Sequence, residues 1–210
     1  MPWPEVDIGE ELGEDEVSYY HSLIGVLRWI VKLGQFNICC ELSMMSSHLA
    51  LPRKRHLEEV LHMFAYLKSH ANSEMVFDPS RVEFDKALFP KKYWGYSIYA
   101  QVASDSQEEL PPDMPKPCGK GMDMRAYVDS DHAWDTVTRR SSTGFVILLN
   151  GAPIYWNYKK QTLCETSSFC SELCAMKQAT EYVKGFCYKL RIMVITVEDQ
   201  PSSLATTSPG

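Results

Sequence analysis

The chain has 210 residues, of which 45% are hydrophobic and 23% charged, proportions that are typical of a globular protein. This composition excludes a collagen, a low-complexity segment and a wholly disordered chain. The net charge of −6 is unevenly distributed, because residues 1–16 carry seven acidic side chains and no basic one, whereas residues 116–193 carry eleven basic and seven acidic ones. A basic second half is compatible with a polyanionic partner.

The sequence offers no targeting or membrane segment. Its longest apolar run has five residues, 145–149, against the roughly twenty that a membrane-spanning helix needs. The N-terminus lacks the basic and apolar regions of a signal peptide, and the seven cysteines form no CxxC pair, which favours reduced thiols. These features predict an intracellular protein, either cytoplasmic or nuclear.

After an acidic leader over residues 1–16, the sequence predicts a helical unit over residues 17–77. Apolar residues recur every three or four positions between 17 and 31, which is typical of an amphipathic helix, and Gly34 can end this helix. Asn37 can cap a second helix, and Pro52 suits the first turn of a third. A short strand over residues 72–77 can complete the unit.

Two segments are predicted to lack regular structure. Residues 78–122 show no periodicity and contain four prolines between positions 111 and 117, which is typical of a linker. Residues 194–210 are polar and rich in serine and threonine, so we expect a disordered tail.

A second unit is predicted over residues 123–193, where β-rich runs replace the helical period. Asn150-Gly151 is a strong hairpin signal between two such runs, and Ser167 or Ser168 can cap a long helix that reaches Arg191. The predicted strands lie at 125–128, 143–149 and 153–158. The fold class is therefore predicted to be α/β, with a helical unit followed by a three-stranded antiparallel meander and one long helix.

Two carboxylates in this second unit can support chemistry. Asp129 lies at the end of the first strand and Glu172 in the first turns of the long helix. Carboxylate oxygens are ligands for hard divalent cations, and two such cations can hold the attacking and leaving oxygens of a phosphoryl transfer. Acids in these places are also common on ordinary surfaces, so the residues alone leave both interpretations open. Asp131 and Asp135 are interpreted as turn or solvent-facing acids.

Four basic side chains adjoin the predicted strands, namely Arg139, Arg140, Lys159 and Lys160. At these places they can contact the phosphates of a nucleic acid or simply be solvated.

Four segments follow one another in order: YVDSDHAWD over 127–135, TRRSSTGF over 138–145, IYWNYKKQ over 154–161 and ETSSFCSELCAM over 165–176. Together they resemble the ribonuclease H region of copia-type LTR retrotransposon Pol polyproteins. In the first half, YHSLIGVLRW, MMSSHLALP and HMFAYLK resemble the segment that follows the reverse transcriptase palm in the same polyproteins. The resemblance covers roughly residues 17–193.

The resemblance implies a mixed sheet, flanked by helices, that cuts the RNA strand of an RNA–DNA hybrid with two Mg²⁺ ions. It assigns the first catalytic aspartate to Asp129 and the catalytic glutamate to Glu172, both as metal ligands, and it matches Lys159 and Lys160 to the family's paired lysines. Trp134 stands where the family normally has a small residue. The sequence shows neither the aspartates of the polymerase palm nor the family's fourth strand, which bears a further aspartate.

The sequence therefore predicts a ribonuclease H-type fragment that binds Mg²⁺ weakly and is inactive alone, with an RNA–DNA hybrid as its partner. The alternative is a non-catalytic nucleic-acid-binding or structural remnant. Because a sheet without its fourth strand has an unpaired edge, self-association through that edge is also expected.

Overall fold

The computed structural model describes residues 9–71, 76, 80, 111–135 and 137–197, together with the backbone of residues 202–205. It has a mixed α/β structure, with a helical unit in the first half and a sheet with one long helix in the second. The helices are α1 (Glu14–Lys32), α2 (Cys39–Ser46), α3 (Lys54–Ser69) and α4 (Ser168–Ile192), and a 3₁₀ turn at Phe36–Ile38 precedes α2. The strands are β1 (Cys118–Met122), β2 (Met124–Asp131), β3 (Ser142–Leu149), β4 (Ala152–Lys160), β5 (Ile195–Val197) and β6 (Ser202–Ala205).

The helical unit packs around one apolar stripe of α1. Tyr20, Ile24 and Leu27 follow the three-and-four spacing of a buried helix face, and they form a common core with buried residues of α2 and α3. The hydroxyl of the fully buried Tyr20 donates a hydrogen bond to the carbonyl of Met45 at 2.8 Å. This polar group therefore has a hydrogen-bond partner inside the apolar core. α1 ends where Gly34 adopts a φ of 130°, which confirms the predicted end.

Three details of the helical unit differ from the sequence prediction. α1 begins at Glu14, so the predicted leader ends earlier, because the acids of residues 14–16 favour the positive end of a helix dipole. Asn37 does not cap α2, since its amide donates instead to the Tyr66 hydroxyl at 2.8 Å. Pro52 is not in the first turn of α3, because the helix begins at Lys54 after its N-cap Arg53. The strand predicted over residues 72–77 falls, Val76 apart, outside the described residues.

The main sheet has the strand order β4-β3-β2-β6. β2, β3 and β4 form the predicted antiparallel meander, in which Asp129 pairs with Gly144 and Gly144 with Tyr158. β6 lies parallel to β2, with Arg125 beside Ser202. The predicted disordered tail is therefore wrong at β5 and β6, because β6 supplies backbone partners to the second edge of β2 and β5 supplies them to β1.

A small second sheet corrects the predicted linker. β1 pairs in parallel with β5, and Cys118 lies beside Ile195, so residues 118–122 belong to the second unit. The strand escaped prediction because its sequence, CGKGM, has no alternating pattern and its partner is distant in sequence. Residue 80 apart, residues 78–110 of the predicted linker lie outside the described residues.

α4 covers one face of the main sheet. Ala175, Ala179 and Val183 of the helix pack against alternate residues of β2, including Ala126 and Val128, and all five are buried. The small side chains of α4 allow the helix to approach the strand closely. This layer fixes the first turn of α4 near the carboxyl end of β2.

The helical unit covers the edge strand β4. The indole N–H of Trp156 donates to the Val31 carbonyl at 3.1 Å, its ring lies 5.4 Å from that of Phe36, and the Cys39 sulfur accepts a hydrogen bond from the backbone of Tyr158. The expected unpaired edge at β2 is wrong because β6 pairs there, and α2 covers β4 at Tyr158. Self-association itself stays a prediction.

Candidate metal centre and nucleic-acid interface

The residues that the sequence singled out meet at one end of the main sheet. Register places Asp131 beside Ser142, and Ser142 beside Lys160, so β2 ends where β3 begins and β4 ends. The loop between β2 and β3 carries Arg139 and Arg140 at this end. The first turn of α4, with Glu172, lies over the same end of β2.

A buried polar network fastens the first turn of α4 to the sheet. The Ser130 hydroxyl donates to the Ser171 hydroxyl at 3.2 Å. Gln161, which is only 4% exposed, donates through Nε2 to the Thr143 hydroxyl at 2.9 Å and to the Ser171 carbonyl at 3.0 Å. These bonds link β2, β3 and α4 and hold the turn that bears Glu172.

Glu172 lies in an environment that resists its ionisation. Burial raises its pKa, and repulsion from the negative Asp129 raises it further, whereas hydrogen bonds from Ser130 act in the opposite direction. The repulsion shows that the two predicted carboxylates are electrostatic neighbours. Burial and the charge of Asp129 also raise the pKa of Asp131.

One oxygen of Glu172 is buried without a partner. Its Oε2 atom accepts no hydrogen bond from any described residue, although an unsatisfied buried carboxylate oxygen is costly. A cation beside this oxygen would supply the missing partner, so Asp129 and Glu172 fit a hard divalent cation in their chemistry. Among the described residues, no group of three His, Cys, Asp or Glu side chains gathers in a metal-binding arrangement. Two carboxylates alone would hold Mg²⁺ weakly.

The side chain of Asp129 lies on the face of β2 that is turned away from α4. Strand alternation directs Val128 and Ser130 toward α4, whereas Asp129 shares a row with Gly144 and Tyr158 on the opposite face. A cavity of about 280 Å³ lies on that face, between the sheet and the turn that precedes α2. Asp129 and Glu172 therefore lie on opposite faces of β2, so the structure does not show the two carboxylates facing one another.

Asp135 organises the loop after β2. Its Oδ1 atom accepts the backbone N–H groups of Val137 at 2.9 Å and Thr138 at 3.1 Å, and its Oδ2 atom pairs with Lys160. Burial acts to raise the pKa of Asp135, but hydrogen bonds from Lys160 and Thr138 outweigh it and hold the pKa well below its usual range. The interpretation of Asp135 as a turn acid is confirmed, whereas its description as solvent-facing is wrong, because the carboxylate is largely buried and paired with Lys160. The Asp-x-x-Thr spacing of an Asx turn is the signal that could have found this role.

The four predicted nucleic-acid contacts divide into two groups. Arg139, Arg140 and Lys159 are exposed, and the N–H of Arg139 donates to the Asp135 carbonyl at 2.6 Å. Lys160 is instead held by Asp135, 5.8 Å from the centre of the Trp134 ring. Three of the four basic side chains are thus exposed to solvent, at the end of the sheet where Asp129 and Glu172 lie.

Comparison with known proteins gives one short similarity. A protein of Plasmopara viticola described as "Secreted RxLR effector protein 161" is 40% identical over 55 residues, which are 26% of this chain and 39% of that protein. The chain thus spans about two fifths of the length of the curated relative that it matches. No family model and no solved structure matches the chain. No helix in the described part of the chain is both long and apolar enough to cross a bilayer.

Proposed function

We propose that the chain is a ribonuclease H-type fragment of a copia-type reverse transcriptase polyprotein, which binds RNA–DNA hybrids but does not cleave them alone. The observation that carries the proposal is the neighbouring pair of Asp129 and Glu172, with a buried, unpartnered oxygen on Glu172. Further support comes from the sheet, which combines an antiparallel meander with one parallel strand, as the resemblance implies for a mixed sheet.

The residues at this end of the sheet have different roles in the proposal. Asp129 and Glu172 would hold Mg²⁺, which when bound polarises a phosphate oxygen and makes water a stronger nucleophile. Arg139, Arg140 and Lys159 provide exposed positive charge for the phosphates of a hybrid. Asp135 and Lys160 fix the loop that presents the two arginines.

The small number of carboxylates available as metal ligands is the reason that we expect no cleavage. Two-metal hydrolysis needs enough anionic oxygens to hold both ions while a phosphate is brought between them, and the pair of Asp129 and Glu172 supplies only two carboxylates. Every 1.4 kcal/mol of lost transition-state stabilisation costs about tenfold in rate. A site that fails to hold both ions therefore loses the reaction almost completely.

The test is a pair of assays on the full chain with a labelled RNA–DNA hybrid. In Mg²⁺ we expect no cleavage above the buffer rate, with Asp129→Asn as the control. Cleavage that requires Mg²⁺ and is lost in Asp129→Asn would contradict the proposed inactivity.

Binding is measured on the same hybrid. Arg139→Ala with Arg140→Ala should weaken binding about tenfold or more at low salt. The control Lys177→Ala with Lys184→Ala removes the same charge from exposed positions elsewhere on α4 and should have a smaller effect. An absence of hybrid binding would favour the alternative, a purely structural remnant.

A further inference from the structure

α1 and the residue that follows it carry a second apolar stripe, which the described residues of the helical unit leave exposed. Its large side chains are unusually open to solvent, because Tyr19 is 51%, Val26 49%, Trp29 63% and Leu33 70% exposed. With Ser22, these residues are spaced alternately three and four apart. This is the a/d pattern of a helix that packs lengthwise against another helix.

The stripe is not the core face of α1. The core residues Tyr20, Ile24, Leu27 and Val31 lie on a different side of the helix and are buried within the helical unit. Single exposed apolar residues are common on protein surfaces, but four of them in one row along a helix, interrupted by Ser22, indicate an interaction surface.

The charges of α1 point to another copy of the same helix as the occupant. The first turn carries Glu14, Asp15 and Glu16, and the last turn carries Lys32. Two α1 helices side by side in antiparallel orientation place each acidic first turn beside the basic last turn of the other. The helix dipoles also oppose one another in this arrangement, whereas a parallel pair would bring like charges together.

The spacing defines a register for this pair. With a two-fold axis near residue 24, Tyr19 packs against Trp29 of the partner subunit and Ser22 against Val26 of the partner subunit. Lys32 then reaches the acidic turn of the partner subunit. Nothing lies within 4 Å of the position that a Cβ atom would take on Gly25, so the backbones have room to approach closely.

We propose that α1 is a homodimerisation surface, on which a second copy of the chain packs its own α1 in antiparallel orientation. The interface is isologous, so one contact closes the assembly as a dimer. Because the helix is only about 28 Å long, the buried area is below that of standard interfaces, and dimerisation should depend on concentration. The inference is independent of the proposed function.

The experiment is sedimentation velocity of the full chain over a wide range of concentration. The wild type should shift from monomer to dimer, and Trp29→Glu should raise the dimer dissociation constant by more than about tenfold. Leu61→Glu, which changes an exposed apolar residue of α3, is the matched control and should dimerise as the wild type does. Circular dichroism verifies that each variant retains its helices.

A charge exchange tests the orientation even if Trp29→Glu fails to fold. Asp15→Lys and Lys32→Glu, both at exposed positions, should each weaken the dimer, and the double variant should restore it. A wild type that stays monomeric at all concentrations would overturn the proposal. So would a dimer that Trp29→Glu leaves intact, or a double variant that is weaker than both single ones.

Discussion

Gly144 shows how closely single residues pack around β2, the strand that bears Asp129. It lies between Asp129 and Tyr158 in one row of the sheet, and the Tyr158 ring lies over it. A Cβ atom at residue 144 would be 3.2 Å from Cδ2 of Tyr158, which is tighter than an ordinary van der Waals contact. Glycine at this position therefore lets the ring lie flat against the strand.

Gly144→Ala should lower the free energy of unfolding by about 1–3 kcal/mol, because the extra methyl group overpacks the ring of Tyr158. Gly185→Ala is the matched control, since nothing lies within 4 Å of its Cβ position inside α4. It should raise the free energy of unfolding by about 0.5–1 kcal/mol, because alanine favours a helix. Urea unfolding measures both. A Gly144→Ala variant as stable as the wild type would show that the ring moves away freely.

Asp135→Asn should destabilise the protein in a pH-dependent way. The native pKa of Asp135 is held below its usual value, so its stabilising effect is fully present above about pH 4, the unfolded value, and is lost as pH falls through the native pKa. At pH 7 we expect a loss of about 1–3 kcal/mol, which shrinks toward zero in acid. Urea unfolding over a pH series measures this, with the exposed Glu58→Gln as control. A loss that does not change with pH would contradict the assigned role.

At the scale of elements, the N-terminus of α4 is the critical junction. The Ser167 hydroxyl accepts the N–H of Cys170 at 3.3 Å and so caps the helix, while Ser130 and Gln161 tie the next residues to the sheet. Glu172 depends on both for its position. The cap and the polar network therefore support the candidate site without touching a substrate.

Ser167→Ala should cost about 1 kcal/mol of stability, because the first turn of α4 loses its side-chain cap. Ser168→Ala, one residue later, changes the same group without removing that cap and should have little effect. Thermal unfolding compares the two variants. Equal losses in both would show that the capping bond contributes nothing.

The elements also show what local sequence can and cannot predict. α1 and α4 were predictable because their apolar residues keep a helical period, and the meander because Asn150-Gly151 sits between two β-rich runs. β1, β5 and β6 were missed because they are short and pair in parallel with distant segments, which leaves no local pattern. Asn37 was misassigned because its amide has a tertiary partner in Tyr66.

For the candidate site, the sequence selects residues but does not show how their surroundings are arranged. Residue chemistry and family resemblance together selected Asp129 and Glu172, and the structure makes them electrostatic neighbours. The unpartnered oxygen of Glu172 and the anchoring by Gln161 arise only from tertiary packing. The pairing of Lys160 with Asp135 likewise depends on the path of the loop after β2, so this ion pair could not be predicted from the sequence.

At the scale of the whole molecule, the two units support one another. Trp156 joins β4 to the end of α1 through its bond to Val31, and Cys39 of α2 contacts the backbone of Tyr158. α2 thereby shields the edge of the sheet, where unpaired backbone groups invite aggregation. The helical unit is thus part of what keeps the carboxylate end of the sheet in place.

The central claim is that Asp129 and Glu172 form a divalent-cation site, and Mg²⁺ titration of the full chain followed by amide NMR tests it most directly. We predict weak, saturable shifts that centre on Ser130 and Leu173 and disappear in both Asp129→Asn and Glu172→Gln. Glu181→Gln, which alters an exposed carboxylate of α4, should leave them unchanged. Shifts that centre elsewhere, or that persist in Asp129→Asn, would contradict the account.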